Sequence, residues 1–385
     1  MKLMVTGGAG FIGSNFVRYV LAQHPKDSIL NLDKLTYSGN LQTLRDVEKD
    51  ERYTFVRGDL CDRRKVQEIL SGGFDAIVHF AAETHVDRSI LEGSAFVKTN
   101  VLGTQCLLDA ARQAGIKRFI LVSTDEVYGS ASSGEKFTEE SPLAPNSPYA
   151  ASKAGADLLA RAHFRTFRFP VIITRCTNNY GPYQYPEKFI PLMLTRALKG
   201  ESIPVYGDGM QVRDWIWVMD HCAGLDAVLR KGREGEIYNL GAGNEWPNLE
   251  IARRILQSVG KPESLLTFVQ DRPGHDRRYA LDCEKAAREL GWSPQTTLDE
   301  GLKQTVDWYS SNSDWVRHVA ARGYRAYYRK HYDRREATLA KVLNRGGRIS
   351  ARSRRQHMGD AGVDAAPLPR VVTPSLRSRS RDRTL

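Results

Sequence analysis

No apolar run in this chain approaches the roughly 18 residues that a membrane-spanning helix requires, so a helical membrane protein is not expected. Cysteine is sparse: Cys61, Cys106, Cys176, Cys222 and Cys283 are scattered through 385 residues. Without a C-x-x-C pair or zinc-ligand spacing, neither a metal site nor a disulfide framework is expected, and a reducing, cytoplasmic setting suits the pattern. Met1–Thr6 runs directly into a glycine turn, leaving no space for a secretion signal and strengthening the cytoplasmic expectation. A charged body is also missing. The net charge is +11, but residues 321–385 hold 17 Lys/Arg against 5 Asp/Glu, an excess of 12. The first 320 residues therefore carry −1, too little for a nucleic-acid-binding body. After Leu343 there is no Phe, Trp or Tyr, and a Gly-, Arg-, Ser- and Pro-rich segment of that kind is expected to be disordered.

What is present reads as an α/β enzyme. A hydrophobic fraction of 41% is ample for a buried core, and 385 residues exceed the usual size of one core, so two lobes are expected. Leu3–Thr6, Ile29–Asp33, Thr54–Arg57, Ala76–Ala81, Phe119–Ser123 and Val171–Thr174 read as strands. Ile12–Leu21, Val66–Leu70, Phe96–Gln113 and Tyr149–Phe167 read as helices between them. That alternation predicts a doubly wound parallel sheet, Rossmann-like, with right-handed connections. The expected division is a dinucleotide-binding domain over 1–177, to which some later segments return, a smaller C-terminal substrate lobe over 178–315, and a basic extension over 316–385. Within the extension, Tyr324–Tyr332 reads as a helix with tyrosines packed on the body.

Gly7-Gly8-Ala9-Gly10-Phe11-Ile12-Gly13 follows the first strand and opens the first helix. Glycines there permit a tight turn and close approach of a pyrophosphate to the helix N-terminus. The next strand ends in Asp33, 20 residues after Gly13. A carboxylate there accepts from a ribose 2′-hydroxyl and repels a 2′-phosphate, favouring NAD over NADP, although Lys34 beside it weakens the preference.

Thr124, Asp125 and Glu126 fall just after a strand, where ligands of open parallel sheets bind. An extended trio would send Thr124 and Glu126 one way and Asp125 the other. Tyr149 and Lys153 lie at i and i+4, on one helix face. An ammonium near a phenol lowers its pKa, which would let Tyr149 accept a proton near neutral pH.

Together with Asp33-Lys-Leu-Thr-Tyr37, His85-Val-Asp-Arg-Ser89, Asn178-Asn-Tyr-Gly-Pro182, Pro186-Glu-Lys-Phe-Ile-Pro191, Arg213-Asp-Trp215 and Arg272-Pro-Gly-His-Asp-Arg-Arg-Tyr279, these residues resemble the dTDP-glucose 4,6-dehydratases. Those belong to the extended short-chain dehydrogenase/reductase superfamily, and the likeness covers roughly residues 1–310. The resemblance implies a lyase that converts dTDP-glucose to its 4-keto-6-deoxy product with a retained NAD, metal-free. Tyr149, supported by Lys153 and Thr124, would take the O4 proton, Glu126 the C5 proton, and Asp125 would protonate the departing C6 hydroxyl.

By the same matching Gly7, Gly10, Phe11, Ile12, Gly13, Asp33, Lys34, Leu35, Thr36, Asp59, Leu60, Phe80, Ala81, Ala82, Glu83, Thr84, Thr99, Tyr149, Lys153 and Asn179 would surround NAD. Thr84, Thr124, Asn178, Lys188, Phe189, Pro204, Val205, Tyr206, Arg213, Asn248, Asp271, Arg272, Pro273, Gly274 and His275 would line the nucleotide-sugar side. There Arg213 suits a bidentate grip on diphosphate, His275 could add a donor, and Tyr206 could supply a stacking surface. The resemblance also implies a homodimer, through a bundle of Phe96–Gln113 and Tyr149–Phe167. It assigns no role to the Arg-rich tail, which reads as a solvated extension rather than a nucleic-acid tether. The alternative reading is a 4,6-dehydratase or 4-epimerase for a UDP- or GDP-linked sugar, and paired carboxylates disfavour the epimerase, which eliminates nothing.

Overall fold

In strand β1 (Lys2–Thr6), Leu3 and Val5 project to one side and Met4 to the other, and all three are fully buried. Covering on both faces marks a central parallel strand. The same alternation separates Ile120 and Val122 from Phe119 and Leu121 in β5 (Phe119–Thr124). With β2 (Ser28–Asp33), β3 (Tyr53–Arg57), β4 (Ala76–His79), β6 (Val171–Cys176) and β10 (Ile237–Leu240), these strands form one seven-stranded parallel sheet. Its order is β10-β6-β5-β4-β1-β2-β3. This computed structural model describes residues 1–320 with Tyr328, Tyr332, Arg335 and residues 337–340. Residues 1–338 form one compact unit; of the second, 339–385, only Leu339 and Ala340 are described. The expected helix over Tyr324–Tyr332 therefore falls almost wholly outside the described residues, and the expected disorder after Leu343 falls entirely outside them.

Helices cover both faces. On one lie α1 (Phe11–Gln23), α8 (Val218–Lys231) and α10 (Glu284–Leu290), whose Phe16, Val20, Leu225, Val228 and Leu290 share a core with the sheet. On the other lie α2 (Arg63–Leu70), α5 (Thr104–Gln113) and α6 (Pro148–Phe167). Short helices α3 (Val86–Leu91) and α4 (Ser94–Phe96) lead through a π-helical stretch, Val97–Gly103, into α5. Helix α6 starts where Ser147 accepts from the Ala150 N–H, with Pro148 in its first turn. The expected helix over Phe96–Gln113 is thus continuous but locally wider, and the strand expected to reach Ala81 stops at His79.

The strand order reverses between β1 and β4, the crevice where doubly wound sheets bind ligands. Beyond those carboxyl ends sits a smaller assembly. It holds β7 (Asn178–Tyr180), β9 (Val212–Trp217) and β11 (Glu245–Pro247) in one small sheet, and β8 (Ile203–Tyr206) with β12 (Leu266–Val269) in another. Helices α7 (Phe189–Lys199), α9 (Asn248–Ser258) and α11 (Leu298–Ser311) pack on them through Ile190, Met193, Ile251 and Leu302, and α12 (Ser313–Ala320) follows. Between β9 and β11 the chain crosses back to build α8 and β10. Sequence reading had no strong signal for α8, because it buries residues around its circumference, from Val218 and Asp220 through His221, Cys222, Leu225 and Leu229. That leaves no polar face for periodicity to reveal.

Candidate active site

Two cavities meet beyond the sheet. The first, about 290 Å³, is walled by the Gly7–Gly13 turn, Asp33 to Asn40 apart from Leu35, Asp59, Leu60, Phe80–Thr84, Thr99, Asn179, Trp315 and Val319. The second, about 150 Å³, is walled by Phe189, Pro204, Tyr206, Arg213, Trp215, Asn248, Arg272, His275 and Tyr279. Thr84, Glu126, Asn178, Glu187 and Lys188 border both, and Thr124, Asp125, Tyr149 and Lys153 close the first at that junction.

The first cavity fits a dinucleotide. A Cβ on Gly7 would sit 2.6 Å from the Ala81 nitrogen, and Gly7 has φ of +74°, so only glycine makes this approach. A Cβ on Gly13 would lie 2.5 Å from the Gly7 carbonyl oxygen. Helix α1 begins with no side chain capping its N-terminus, leaving the first-turn N–H groups for an anion. At the far end Asp33 accepts from the N–H groups of Ala9 (3.0 Å) and Leu35 (2.8 Å) and keeps lone pairs for hydroxyls. Lys34 is paired with Asp59 at 2.7 Å. Its charge is engaged rather than offered to a 2′-phosphate, which removes the reservation attached to it from sequence. Leu35 does not line the cavity; its side chain packs into the core and only its N–H serves the site.

The trio does not stay extended. Thr124 ends β5, its hydroxyl accepts from the Glu126 N–H at 3.3 Å, and Asp125–Tyr128 coil into a 3₁₀ turn. A hydroxyl that captures the N–H two residues on turns the chain at once. Asp125 and Glu126 therefore both border the first cavity instead of opposing each other. Asp125 is 2% exposed; its Oδ1 accepts from the Thr124 hydroxyl at 3.1 Å, and its Oδ2 has no hydrogen-bond partner among the described residues. Burial, then the Glu126 charge, push its pKa well above the ordinary 3.8. Glu126 is raised too, chiefly by burial, but Arg272, Arg213 and Lys188 oppose the rise. Both carboxyls are raised, Asp125 further than Glu126, a separation of the kind that divides acid from base.

The expectation for Tyr149 is also corrected. Its pKa is raised well above 10.0, first by burial and then by Glu126. Lys153, itself buried, donates to the Val122 carbonyl at 2.8 Å. The ammonium spends a hydrogen bond on backbone and does not offset the phenol's burial.

On the substrate side Arg213 is 4% exposed and donates to the carbonyls of Val212 (2.8 Å) and Asp276 (2.9 Å), with its guanidinium 4.1 Å from the Tyr279 ring centroid. It makes no ion pair with Asp214, whose carboxylate accepts from Ala242 and Asn244 N–H groups instead. Arg272 Nε, Asn248 Oδ1 and Trp215 Nε1 are buried without partners among the described residues. Unmatched donors and buried cations on one wall suit an anionic polar ligand. His275 differs from its expected donor role: Nδ1 meets Asp271 at 2.6 Å, and burial holds its pKa at about 4. At neutral pH its Nε2 is left an acceptor. Val205 points into the core, Asp271 braces Gln211 and His275, and Pro273 and Gly274 are exposed; none of the four lines the cavity.

Sequence reasoning missed Glu187, Tyr37, Trp315 and Val319. Glu187 stands inside the quoted Pro186–Pro191 segment, yet nothing in that segment tells that its carboxylate is 3% exposed and holds Arg88 at 2.8 Å. Trp315 and Val319 reach the first cavity from α12, far along the chain, where no local pattern could place them.

A family model described as GDP-mannose 4,6 dehydratase matches residues 4–305. The chain therefore belongs to this family of nucleotide-sugar 4,6-dehydratases. A dTDP-glucose 4,6-dehydratase from an Actinoplanes species is 52% identical over 320 residues, covering 82% of this chain and 99% of that one. Among solved structures, the dTDP-glucose 4,6-dehydratase DesIV of Streptomyces venezuelae, with NAD bound, superposes with a TM-score of 0.81 at 54% identity. It covers 83% of this chain and 100% of that one. The Bacillus anthracis dTDP-glucose 4,6-dehydratase in complex with NAD gives 0.78 at 48% identity, over 83% and 99%.

Proposed function

We propose that this chain is a dTDP-glucose 4,6-dehydratase, a lyase that forms the 4-keto-6-deoxy sugar nucleotide with a cofactor retained through each turnover. The observation that carries this reading is the buried Asp125 carboxyl, its Oδ2 without a partner among the described residues, beside Glu126 where the two cavities meet. Losing water across C5 and C6 needs an acid and a base together; a 4-epimerase needs neither.

The residues of the first cavity would hold NAD⁺, which when bound would supply the hydride acceptor for C4, the donor that returns hydride to C6, and a positive charge that would counter the burial raising the Tyr149 pKa. Gly7, Gly10 and the α1 N-terminus would hold its pyrophosphate, and Asp33 its adenosine ribose. Tyr149 acts in its phenolate form, which must be populated against the burial that raises its pKa: it takes the proton from O4 as C4 gives up its hydride, leaving a C4 ketone. That ketone acidifies the C5 hydrogen, which Glu126 removes. The C6–O bond breaks as Asp125 delivers its proton from Oδ2, and water departs. Glu126 then returns a proton to C5. Arg213, Arg272 and Lys188 balance the diphosphate charge and oppose the rise that burial imposes on the Glu126 pKa.

We read the protein as a cytoplasmic homodimer. Val97, Leu102, Leu158 and Phe167 are exposed large apolar residues on the 97–113 and 148–167 helices, where a second copy could cover them. The five cysteines are free and no described helix is long and apolar enough to cross a membrane. The test is incubation of purified protein with dTDP-glucose and no added NAD. A product lighter by one water establishes both the reaction and the retained cofactor. No product even with NAD supplied refutes the reading and turns attention to UDP- and GDP-linked sugars.

A further inference from the structure

The first cavity has a wall that the family match does not reach. Trp315 and Val319 of α12 border it, beyond the residues 4–305 matched by the family model. By its packing α12 belongs to the substrate lobe: Trp315 and Val316 lie against the core that holds Tyr180, Trp217 and Leu302. Yet the Trp315 indole also reaches the dinucleotide-binding domain, where its Nε1 donates to the Thr43 hydroxyl at 3.4 Å. Thr43 stands in the turn Leu41–Leu44, just after the Asp33–Asn40 segment that walls the same cavity. Val319, one helical turn past Trp315, is 1% exposed. Trp315 is half-buried and divides its surface between the core of the lobe and the cavity.

The indole is held in place by rings. Trp308 meets it edge-on at 5.1 Å and 73°, Tyr183 at 5.7 Å and 85°, and Tyr309 at 6.5 Å and 82°, the arrangement that aromatic quadrupoles favour. Tyr183 follows β7, lines the same cavity and has φ of +67°. That conformation is rare for a bulky residue, persists only where the surroundings impose it, and is concentrated at ligand clamps and active sites. The Arg18 guanidinium of α1 lies 3.9 Å from the Tyr183 ring centroid and is itself paired with Asp46 at 2.7 Å. Helix α1, the loop after β7 and α12 are thus clamped together at one side of the cavity. A cofactor regenerated in each turnover has no need to leave, and its residence time depends on how readily such a wall parts.

We propose, on the reading that the first cavity holds NAD, that Trp315 is a cofactor-retaining residue. With Val319 it forms the wall that joins the substrate lobe to the dinucleotide-binding domain and sets how slowly NAD leaves.

The experiment compares the full NAD-loaded chain with Trp315→Phe, Trp315→Leu and Trp315→Ala. Bound NAD⁺ is chased with an excess of isotopically labelled NAD⁺, and the labelled fraction is followed by mass spectrometry after rapid desalting. Loss of the aromatic wall should speed exchange about tenfold or more in the Leu and Ala variants. Trp315→Phe, which keeps a ring, should stay nearer to wild type. Calorimetric binding of dTDP at saturating NAD⁺ is the control for folding, because Trp315 does not border the second cavity; all four proteins should bind it equally. Exchange at the wild-type rate in Trp315→Leu overturns the inference. A parallel loss of dTDP affinity also overturns it, since that would show general disruption rather than an opened wall. Should Trp315→Ala fail to fold, Trp315→Leu, which keeps an apolar side chain in the lobe's core, carries the test. Wild-type protein that neither carries NAD nor takes it up would instead refute the cofactor reading itself, so the two failures are distinguishable.

Discussion

Asp125→Asn separates elimination from oxidation. The amide is nearly isosteric with a protonated carboxyl, and its oxygen can still accept from the Thr124 hydroxyl. It cannot give up a proton to O6. A positioned general acid contributes about 10²–10⁴ in rate, or about 3–5 kcal/mol of barrier. Dehydration should slow by that factor while Tyr149 continues to accept the O4 proton. In a single-turnover experiment reduced cofactor should therefore form on adding dTDP-glucose and persist, where wild type shows it only transiently.

Stability gives a second readout. Because the folded pKa of Asp125 is raised above 3.8 by burial, the unfolded chain releases its proton first. The Asp125 contribution to stability is full below about pH 4 and falls with a slope of about 1.4 kcal/mol per pH unit until the folded group itself ionises. The amide has no such slope, so Asp125→Asn should melt higher than wild type at pH 7 and converge with it at pH 4. No reduced cofactor on mixing would place Asp125 in the oxidation step. Undiminished turnover would show that another group is the acid. Either result refutes the assignment.

Tyr149→Phe should abolish the first oxidation, leaving no reduced cofactor after substrate is added, with activity down by at least about 10². Gly7→Ala forces a Cβ to 2.6 Å from the Ala81 nitrogen at φ +74°, so the purified variant should lose its retained cofactor, measured by release on acid denaturation. His79 and His221 are fully buried, with pKa values pushed down to about 3 by desolvation. Stability from this pair is full above about 6.5 and lost as pH falls toward 3, so unfolding at pH 5 should take up roughly two protons from it. Calorimetry in buffers of different ionisation enthalpy measures that uptake.

Much of the site was legible because its signals are local. The Gly7–Gly13 turn, Asp33 at a strand end and the Tyr149–Lys153 spacing each express a backbone requirement within a few residues. The electrostatics were not legible. Proximity of Lys153 to Tyr149 in a helix suggested a lowered phenol pKa, but desolvation acts through everything packed around the ring and reverses the sign. The Thr124–Glu126 turn was left open by the sequence for a related reason: an N–H captured by a hydroxyl two residues back outweighs the extended habit of the preceding strand.

The sequence by itself determined the alternation that builds the parallel sheet, the glycine turn that admits a dinucleotide, and the residue types needed for a redox-coupled elimination. Those follow from periodicity and backbone sterics, which act over short distances along the chain. Only the tertiary structure decided that β10 returns to the sheet from beyond β9, that Trp315 and Tyr332 border cavities formed mainly by earlier residues, and that burial raises the pKa of Asp125 further than that of Glu126. Burial and charge are sums over atoms brought together from distant positions, and no short stretch of sequence contains those sums.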